Sequence, residues 1–338
     1  MLYVTTRNNQ QTYTSQRALM EDRAEDGGFY APFHNPVFSD ADQNQLRKRS
    51  YNHRIAEILN KLFQSQLTRW DIDFAIGRCP VKLVSLRQRM ILGEFWHNPE
   101  WNFGKMEAGL CKLLCKDEAV PGSWLRIAIR SAVLASCSLE LCSDPAETMD
   151  VSLLSGDFLW PMGAWYARKW GFPIGNIVMC CNENKSIWEL ICYGQLKTDA
   201  VSVSTDLPEA DISIPAELER LIYECGGPEA VCKYLNCCRS GVAYFADAGI
   251  HEALQDGNHV SVISSQRIRE IISGVLSTHR YLLSPGSALA YGGLMDYQAK
   301  NGSLRPALVV CEHSSGKELH RIAGMLGMEE ENLQKYME

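Results

Sequence analysis

An α/β fold with a mostly parallel sheet is predicted for this chain of 338 residues, and three observations predict it. From residue 151 to the end, short apolar runs alternate with longer amphipathic stretches, the pattern of crossover units that build parallel sheets. Polar turns follow the apolar runs at 155–160, 182–185 and 311–316, and in such sheets ligands sit at the carboxyl ends of strands. The residues are 46% hydrophobic and 22% charged, ordinary for a folded protein, which excludes disorder as the main state. At about 150 residues per domain the length corresponds to roughly two domains or one large α/β unit.

Polar, turn-rich sequence runs to about Asn52 and includes the turn signal Gly27-Gly28. The first clear helix spans 54–64, where Ile55, Ile58, Leu59, Leu62 and Phe63 recur at i, i+3, i+4, i+7. Segments 81–84 and 90–92 have strand length. A second helix covers 103–115, with Phe103, Met106, Leu110, Leu113 and Leu114 on one face. Segment 127–141 is apolar and mixed and leaves strand and helix both open. A strand at 151–154 then enters Ser155-Gly156-Asp157, followed by a helix over 161–170 and a buried strand over 177–181. Further helices are expected from Ser186 and over 216–225, 266–282, 287–300 and 317–326, with a last strand at 307–311.

Thirty-three Lys and Arg against 40 Asp and Glu leave a net charge of −7. This balance argues against nucleic acid as a partner, because phosphate backbones require clustered cations. The segment Met1-Leu2-Tyr3-Val4-Thr5-Thr6-Arg7 lacks the basic region and long apolar core of a secretory signal. No window approaches 18 consecutive apolar residues, so no membrane contact is expected and the expected location is the cytoplasm. The 13 cysteines lack the paired C-x-x-C spacing of zinc sites, although Cys111 and Cys115 lie one helical turn apart and Cys180-Cys181 and Cys237-Cys238 are adjacent pairs. They are expected to be reduced, structural thiols, with no metal.

Several blocks, in order along the chain, resemble the threonine synthase family. They are Tyr3-Val4-Thr5-Thr6-Arg7 with Asp26-Gly27-Gly28-Phe29-Tyr30-Ala31-Pro32, the stretch from Gly93 to Phe103, Ser155-Gly156-Asp157-Phe158, Phe172-Pro173-Ile174, Asn182-Glu183-Asn184, Asp211-Ile212-Ser213-Ile214-Pro215, Ser284-Pro285 with Ala288-Leu289-Ala290-Tyr291, and Val309-Val310-Cys311-Glu312-His313. The resemblance implies a three-layer αβα architecture of the fold-type II pyridoxal phosphate (PLP) enzymes, which is like tryptophan synthase β. It also implies conversion of O-phosphohomoserine to threonine and phosphate. On this reading residues 1–90 form a threonine synthase-like N-terminal region. Residues 91–150 carry a remnant of the lysine segment and a truncated small lobe, and 151–338 form the large α/β lobe.

The residues depart from the family at the places where the chemistry is done. A PLP lyase needs a lysine amine for the Schiff base and for proton transfer, and the family sets that lysine directly after a Phe. Here Phe103 is followed by Gly104, and Lys105 comes one residue later. One helical position is a rotation of about 100°, so Lys105 is expected to point elsewhere, as a solvated helix-face lysine. The cofactor phosphate would be cradled by Ser155, Gly156, Asp157 and Phe158. Asp157 stands where the family has Asn, and a carboxylate about 4 Å from a phosphate charge costs about 4 kcal/mol at an effective dielectric near 20 unless a cation intervenes. Leu159 replaces the second Gly and Trp160 adds a large apolar group. The alternative, an ordinary βα turn with Asp157 near the helix N-cap, is physically favourable. Asn182 and Asn184 are further cofactor-side candidates. Gly286 stands where the family has His, and Ser314-Ser315-Gly316 follows His313 in place of Pro-Ala-Lys. Between Gly104 and Ser155 there is room for about one βα unit of some 30 residues, so the mobile lobe is expected to be largely missing.

Two functions follow from the resemblance. One is a degenerate homologue without PLP, binding a small molecule (an amino acid or a phosphorylated metabolite) or a protein partner as a regulatory unit. The other is an active lyase with Lys105 as the Schiff-base lysine. A third, unrelated reading is a small-molecule or redox role for the thiols. Trp96, Trp101 and Trp124 are expected to cover the face exposed by the shortened lobe, internally or through a homodimer contact.

Overall fold

The computed structural model describes residues 1–77, 81–87, 89–96, 103–115 and 122–336. The N-terminal part opens with a small antiparallel sheet, in which β1 (Leu2–Thr5) lies between β2 (Tyr13–Thr14) and β3 (Tyr30–Pro32). Helix α1 (Ser15–Met20) follows β2. Next come α2 (Asp40–Arg47), α3 (Tyr51–Phe63) and α4 (Arg69–Ile76). The apolar stripe read from the sequence sets α3, whose Ile55, Ile58, Leu59 and Leu62 are fully buried. Helices α2 and α4 each start with a capping box, Ser39 with Asp42 and Thr68 with Asp71, which satisfies two N-terminal donors reciprocally.

The main sheet has six strands. Those are β4 (Lys82–Arg87), β5 (Met90–Glu94), β6 (Met149–Leu154), β7 (Ile174–Cys181), β10 (Asn258–Val262) and β11 (Ala307–Cys311), in the spatial order β10-β7-β6-β11-β5-β4. All neighbours are parallel except the edge strand β4, which runs antiparallel to β5. Strands from before and after residue 151 therefore share one sheet. Between β5 and β6 lie α5 (Phe103–Cys115) and α6 (Ser123–Leu141). Among the described residues of this stretch these two helices are followed directly by β6, with no strand between them. Segment 127–141 is thus helical: its sides are buried nearly all round, so no polar face marks the period in the sequence, and its length decides in favour of a helix.

Helix α7 (Leu159–Lys169) follows β6 and packs on α6. The two approach closely because Gly163 faces Arg130, where a Cβ would come within 2.7 Å of the arginine Cβ. Helix α8 (Ser186–Tyr193) follows β7. A short ribbon pairs β8 (Gln195–Leu196) with β9 (Tyr244–Phe245), and between them runs α9 (Leu218–Ser240), kinked at Gly227 and Pro228. Helices α10 (Ala248–Gln255), α11 (Ser265–His279) and α12 (Pro285–Asn301) complete this part. The start of α12 is fixed by Ser284 as N-cap and Pro285 in the first turn. After β11 the chain makes a 3₁₀ turn at Ser315–Glu318, where the sequence suggests the last helix begins, then forms α13 (Leu319–Leu326) and α14 (Glu330–Gln334). One face of the sheet buries α6 and α7 in a large apolar core, and α11 and α12 close a second core on the other side.

Twelve cysteines in the described residues are free thiols. Burial pushes the Cys111, Cys180, Cys181 and Cys311 thiols up to about 12, the signature of inert packing groups. No group of three or more metal-ligating side chains occurs among the described residues. No helix among them is long and apolar enough to cross a membrane. Trp124 is covered internally, packed edge-on against Tyr3 and Tyr166. Trp96 is half-buried against the second core, and Trp101, with the rest of 97–102, lies outside the described residues.

Candidate functional site

Strands β5, β6, β7 and β11 end side by side, and their carboxyl ends carry Phe95, Ser155, Asn182 and Glu312. The chain leaves β6 for β7 on one side while β11 sits on the other. This is a topological switch, where α/β sheets hold their ligands.

The 155–160 turn is closed on itself. Ser155 donates its N–H to Cys180 O at 2.8 Å, and Phe158 donates to Ser155 O at 2.8 Å. Leu159 donates its N–H to the Asp157 carboxylate at 3.0 Å, so Asp157 takes the role expected of it near a helix start. Phe158, buried, sits in the left-handed region at φ 72°. Gly156 has φ +37° and lies tight against the carbonyl oxygen of Glu209. An anion nest needs several N–H groups converging on an empty position. Here three of them are already spent, and a carbonyl oxygen closes over the turn.

Trp160 fills the space behind this turn. It is 3% exposed, with its ring centroid 4.6 Å from Phe103 and 5.2 Å from Phe95, and its indole N–H donates to Glu312 at 3.1 Å. The Arg130 guanidinium lies over both Trp160 and Phe103, at 5.2 and 4.7 Å. Arg130 is buried, bonds Glu107 and lies 3.7 Å from Glu312. Arg126 bonds Glu107 at 3.2 Å and approaches Asp157 to 4.0 Å, and so supplies the neighbouring cation that a carboxylate in this turn requires. Beside Trp160 lies a cavity of about 20 Å³ bordered by Leu154, Glu209, Ser287, Glu312 and His313. That is room for one water, whereas small-molecule sites span roughly 300–1,000 Å³. On the rim, Arg321 bridges Glu209, at 2.8 Å, and Glu318. Burial and the charge of Glu209 raise the Glu318 carboxyl to about 6, against the pull of Arg321 and His313.

The other candidates are placed as follows. Phe103 is buried, while Lys105, two positions on, is exposed. Phe103 thus faces the corner and Lys105 does not share that face. Asn182 and Asn184 are buried but committed. Asn182 donates to Asp211 at 2.6 Å and to Thr205 at 3.0 Å. Asn184 donates to Val203 O at 2.9 Å and accepts from the Val203 N–H at 2.7 Å. They tie the 203–213 loop to the end of β7. Four residues that shape this corner, Glu107, Arg130, Glu209 and Arg321, were not singled out in the sequence. In a helix pattern each reads as a solvated charge.

Comparison with known proteins gives the relationship. The family described as threonine synthase N terminus matches residues 2–79. The threonine synthase of Pseudomonas aeruginosa is 24% identical over 170 residues, 49% of this chain and 36% of that protein. The matched part thus spans about a third of this curated relative. The yeast threonine synthase structure superposes with a TM-score of 0.81 at 15% identity, covering 99% of this chain and 94% of that one. The PLP-bound threonine synthase of Brucella melitensis superposes with a TM-score of 0.78 at 17% identity, covering 97% and 92%.

This chain is threonine synthase-like and has the threonine synthase fold.

The expected fold-type II architecture is therefore present nearly end to end. In this threonine synthase-like chain, the turn that resembles the phosphate loop keeps its place after β6, but three of its N–H donors, the space beside Trp160 and its charges are taken up by the chain itself. A pyridine ring and phosphate do not fit the corner as it stands.

Proposed function

We propose that this threonine synthase-like protein does not run the PLP reaction and acts as a binding or regulatory unit on the family scaffold. The observation that carries the reading is Trp160, packed between Phe103, Phe95 and Arg130 where the turn after β6 would otherwise open. Three further features support it. The nearest carboxylates, Glu209, Glu312 and Asp157, would face any phosphate with like charge. The cavity beside them is water-sized. Lys105 stands on the exposed side of α5, away from the buried face on which Phe103 meets the tryptophan. Converting this packing to a PLP site requires Trp160 to leave the core and α5 to rotate. The loss of one buried Trp side chain alone costs about 3–5 kcal/mol.

The test is spectroscopic. A lysine aldimine of PLP absorbs visible light, and free cofactor with unreacted protein does not give that band. Purified protein titrated with PLP, then reduced with borohydride and mapped by peptide mass, is expected to show no band and no labelled lysine within α5. A band that disappears in Lys105→Ala, with label on Lys105, would overturn the reading in favour of the active lyase.

A further inference from the structure

A larger cavity, of about 470 Å³, lies elsewhere on the molecule, at the amino end of α3. Its volume falls within the roughly 300–1,000 Å³ of small-molecule sites. The inference drawn from it does not depend on the fate of the PLP corner. Cys137 and Glu140 of α6 border it. They stand seven and ten residues beyond Arg130, or about 10–15 Å along the helix at 1.5 Å per residue.

One end of the cavity suits an anion. Helix α3 has 13 residues, and its N-cap, Ser50, makes no side-chain bond to the first turn. The first-turn N–H groups therefore keep their positive end of the helix dipole without a side-chain cap. Arg49 and Arg69 stand at the rim, each about half exposed, at 52% and 50%, with Arg49 ion-paired to Glu57 and Arg69 to Asp73, both at 3.4 Å. The third arginine, Arg54, is buried and committed to Glu140 at 2.7 Å and to backbone carbonyls.

Oxygens of the lining residues, covered behind the cavity surface, lack a donor. Asn52 is 5% exposed, and its amide nitrogen donates to Asp73 Oδ1 at 2.7 Å and to Gly77 O at 3.0 Å. This fixes the orientation of the amide and leaves Asn52 Oδ1 as an acceptor without a hydrogen-bond partner among the described residues. Asp73 Oδ2 and the Tyr51 hydroxyl are likewise buried without one, although Arg69 approaches Asp73 to 3.4 Å as an ion pair. Buried acceptors without donors are rare, and each needs a reason. Between the two polar ends, Val81 and Leu83 provide an apolar wall.

We propose that this cavity binds a free α-amino acid with an aliphatic side chain. The carboxylate is held by Arg49, Arg69 and the first turn of α3. The ammonium donates to the Asp73 carboxylate, and the side chain lies against Val81 and Leu83. Three arginines set against the carboxylates of Asp73 and Glu140 leave the walls nearly balanced, as a zwitterion requires and a dianion does not. The two ends act together, so a ligand with only one of them forfeits its partner contacts.

The test uses the full chain with three probes in calorimetry: leucine, isoamylamine, which lacks the carboxylate, and 4-methylpentanoate, which lacks the amine. Leucine is expected to bind at least about tenfold more tightly than either analogue, about 1.4 kcal/mol, and to raise the melting temperature by mass action. Arg69→Gln is expected to weaken leucine and the acid but not the amine, and Asp73→Asn to weaken leucine and the amine but not the acid. Because Asp73 also supports Asn52, the rim variant Arg49→Gln is the fold-neutral control and is expected to behave as Arg69→Gln. The proposal is overturned if leucine binds no more tightly than its deaminated acid, if all three variants leave its affinity unchanged, or if leucine gives neither heat nor thermal shift at millimolar concentration. In the last case water alone occupies the cavity. These readouts are blind to PLP, so failure here and failure of the function proposed above are distinguishable.

Discussion

The corner after β6 and the cavity before α3 lie along the same helix, α6, and treat their polar groups in opposite ways. In the corner, three N–H groups of the turn donate to Cys180, Ser155 and Asp157. The cations Arg126, Arg130 and Arg321 are paired with Glu107, Glu312, Glu209 and Glu318, and an indole takes up the volume. In the cavity, Asn52 Oδ1 and the Tyr51 hydroxyl stay without a partner among the described residues, Asp73 Oδ2 has only its ion pair with Arg69, the helix start is uncapped by its serine, and the volume is open. A site that has been given over to structure satisfies most of its groups from within the chain, although Arg130 Nε and the rim oxygen Glu318 Oε2 have no hydrogen-bond partner among the described residues. A site that still serves a ligand leaves groups for the ligand to satisfy. The position of a turn in the fold is therefore a poorer guide to binding than the hydrogen-bond account of its atoms.

The largest expected effect breaks the comparison on the corner side. Replacing Arg130 by Ala leaves Glu107 and Glu312 facing one another with one buried cation fewer, and removes the guanidinium that covers Trp160 and Phe103. Breaking a buried pair by deleting one partner costs about 3–5 kcal/mol. Urea unfolding is expected to show a loss of that size. A loss under about 1 kcal/mol would mean that the ion pairs do not hold the corner shut, and the contrast between the two regions would fall.

The fold was largely legible in the sequence where burial has a direction. Helices α3 and α5 present one apolar face and are read correctly, as are the runs that become β6, β7 and β11. Helices α2 and α4 are missed because their capping boxes end in Asp42 and Asp71, and the polar stretches around them show little apolar period. Strand β10, Asn258–Val262, is missed because it is an edge strand whose polar residues face half-buried surroundings. The corner is legible only in part. The sequence shows that Asp157 and Trp160 disagree with a phosphate site, and the structure shows why they agree with each other. Arg130 and Glu107 are invisible as site residues, since nothing in a helix pattern distinguishes a buried ion pair from a solvated one. The cavity gives no signal at all, because Tyr51, Asn52 and Asp73 meet only once α3 and α4 pack.

A smaller effect sharpens the comparison through pH. The Glu318 carboxyl is raised from the ordinary 4.5 to about 6 by burial and by Glu209, and its Oε2 has no hydrogen-bond partner. Below about pH 4.5 the group is protonated in both the folded and unfolded chain, and it contributes nothing to the slope. Between about 4.5 and 6 the unfolded chain ionises first and binds fewer protons, so stability falls as pH rises through this window. The total is about 2 kcal/mol at 1.36 kcal/mol per unit. Denaturation midpoints across this window are expected to fall less steeply in Glu318→Gln than in the wild type. Equal slopes would show that the rim carboxylate ionises in the fold as readily as in water.

The smallest effect lies in the cavity and carries the opposite sign. The Tyr51 hydroxyl is buried without a partner in the unliganded chain, and burial raises its pKa well above that of an exposed tyrosine. Removing an unsatisfied buried group while keeping the ring deletes a desolvation cost and no bond. Tyr51→Phe is therefore expected to be neutral or to stabilise the unliganded protein by up to about 1 kcal/mol, whereas a bonded tyrosine would lose a similar amount on the same change. Urea unfolding with and without leucine separates the cases. If the hydroxyl meets the bound amino acid, the variant gains stability alone and loses part of the stabilisation that leucine confers. A variant less stable than the wild type in the absence of any ligand would mean that the hydroxyl already has a partner, and the cavity would then be as self-satisfied as the corner.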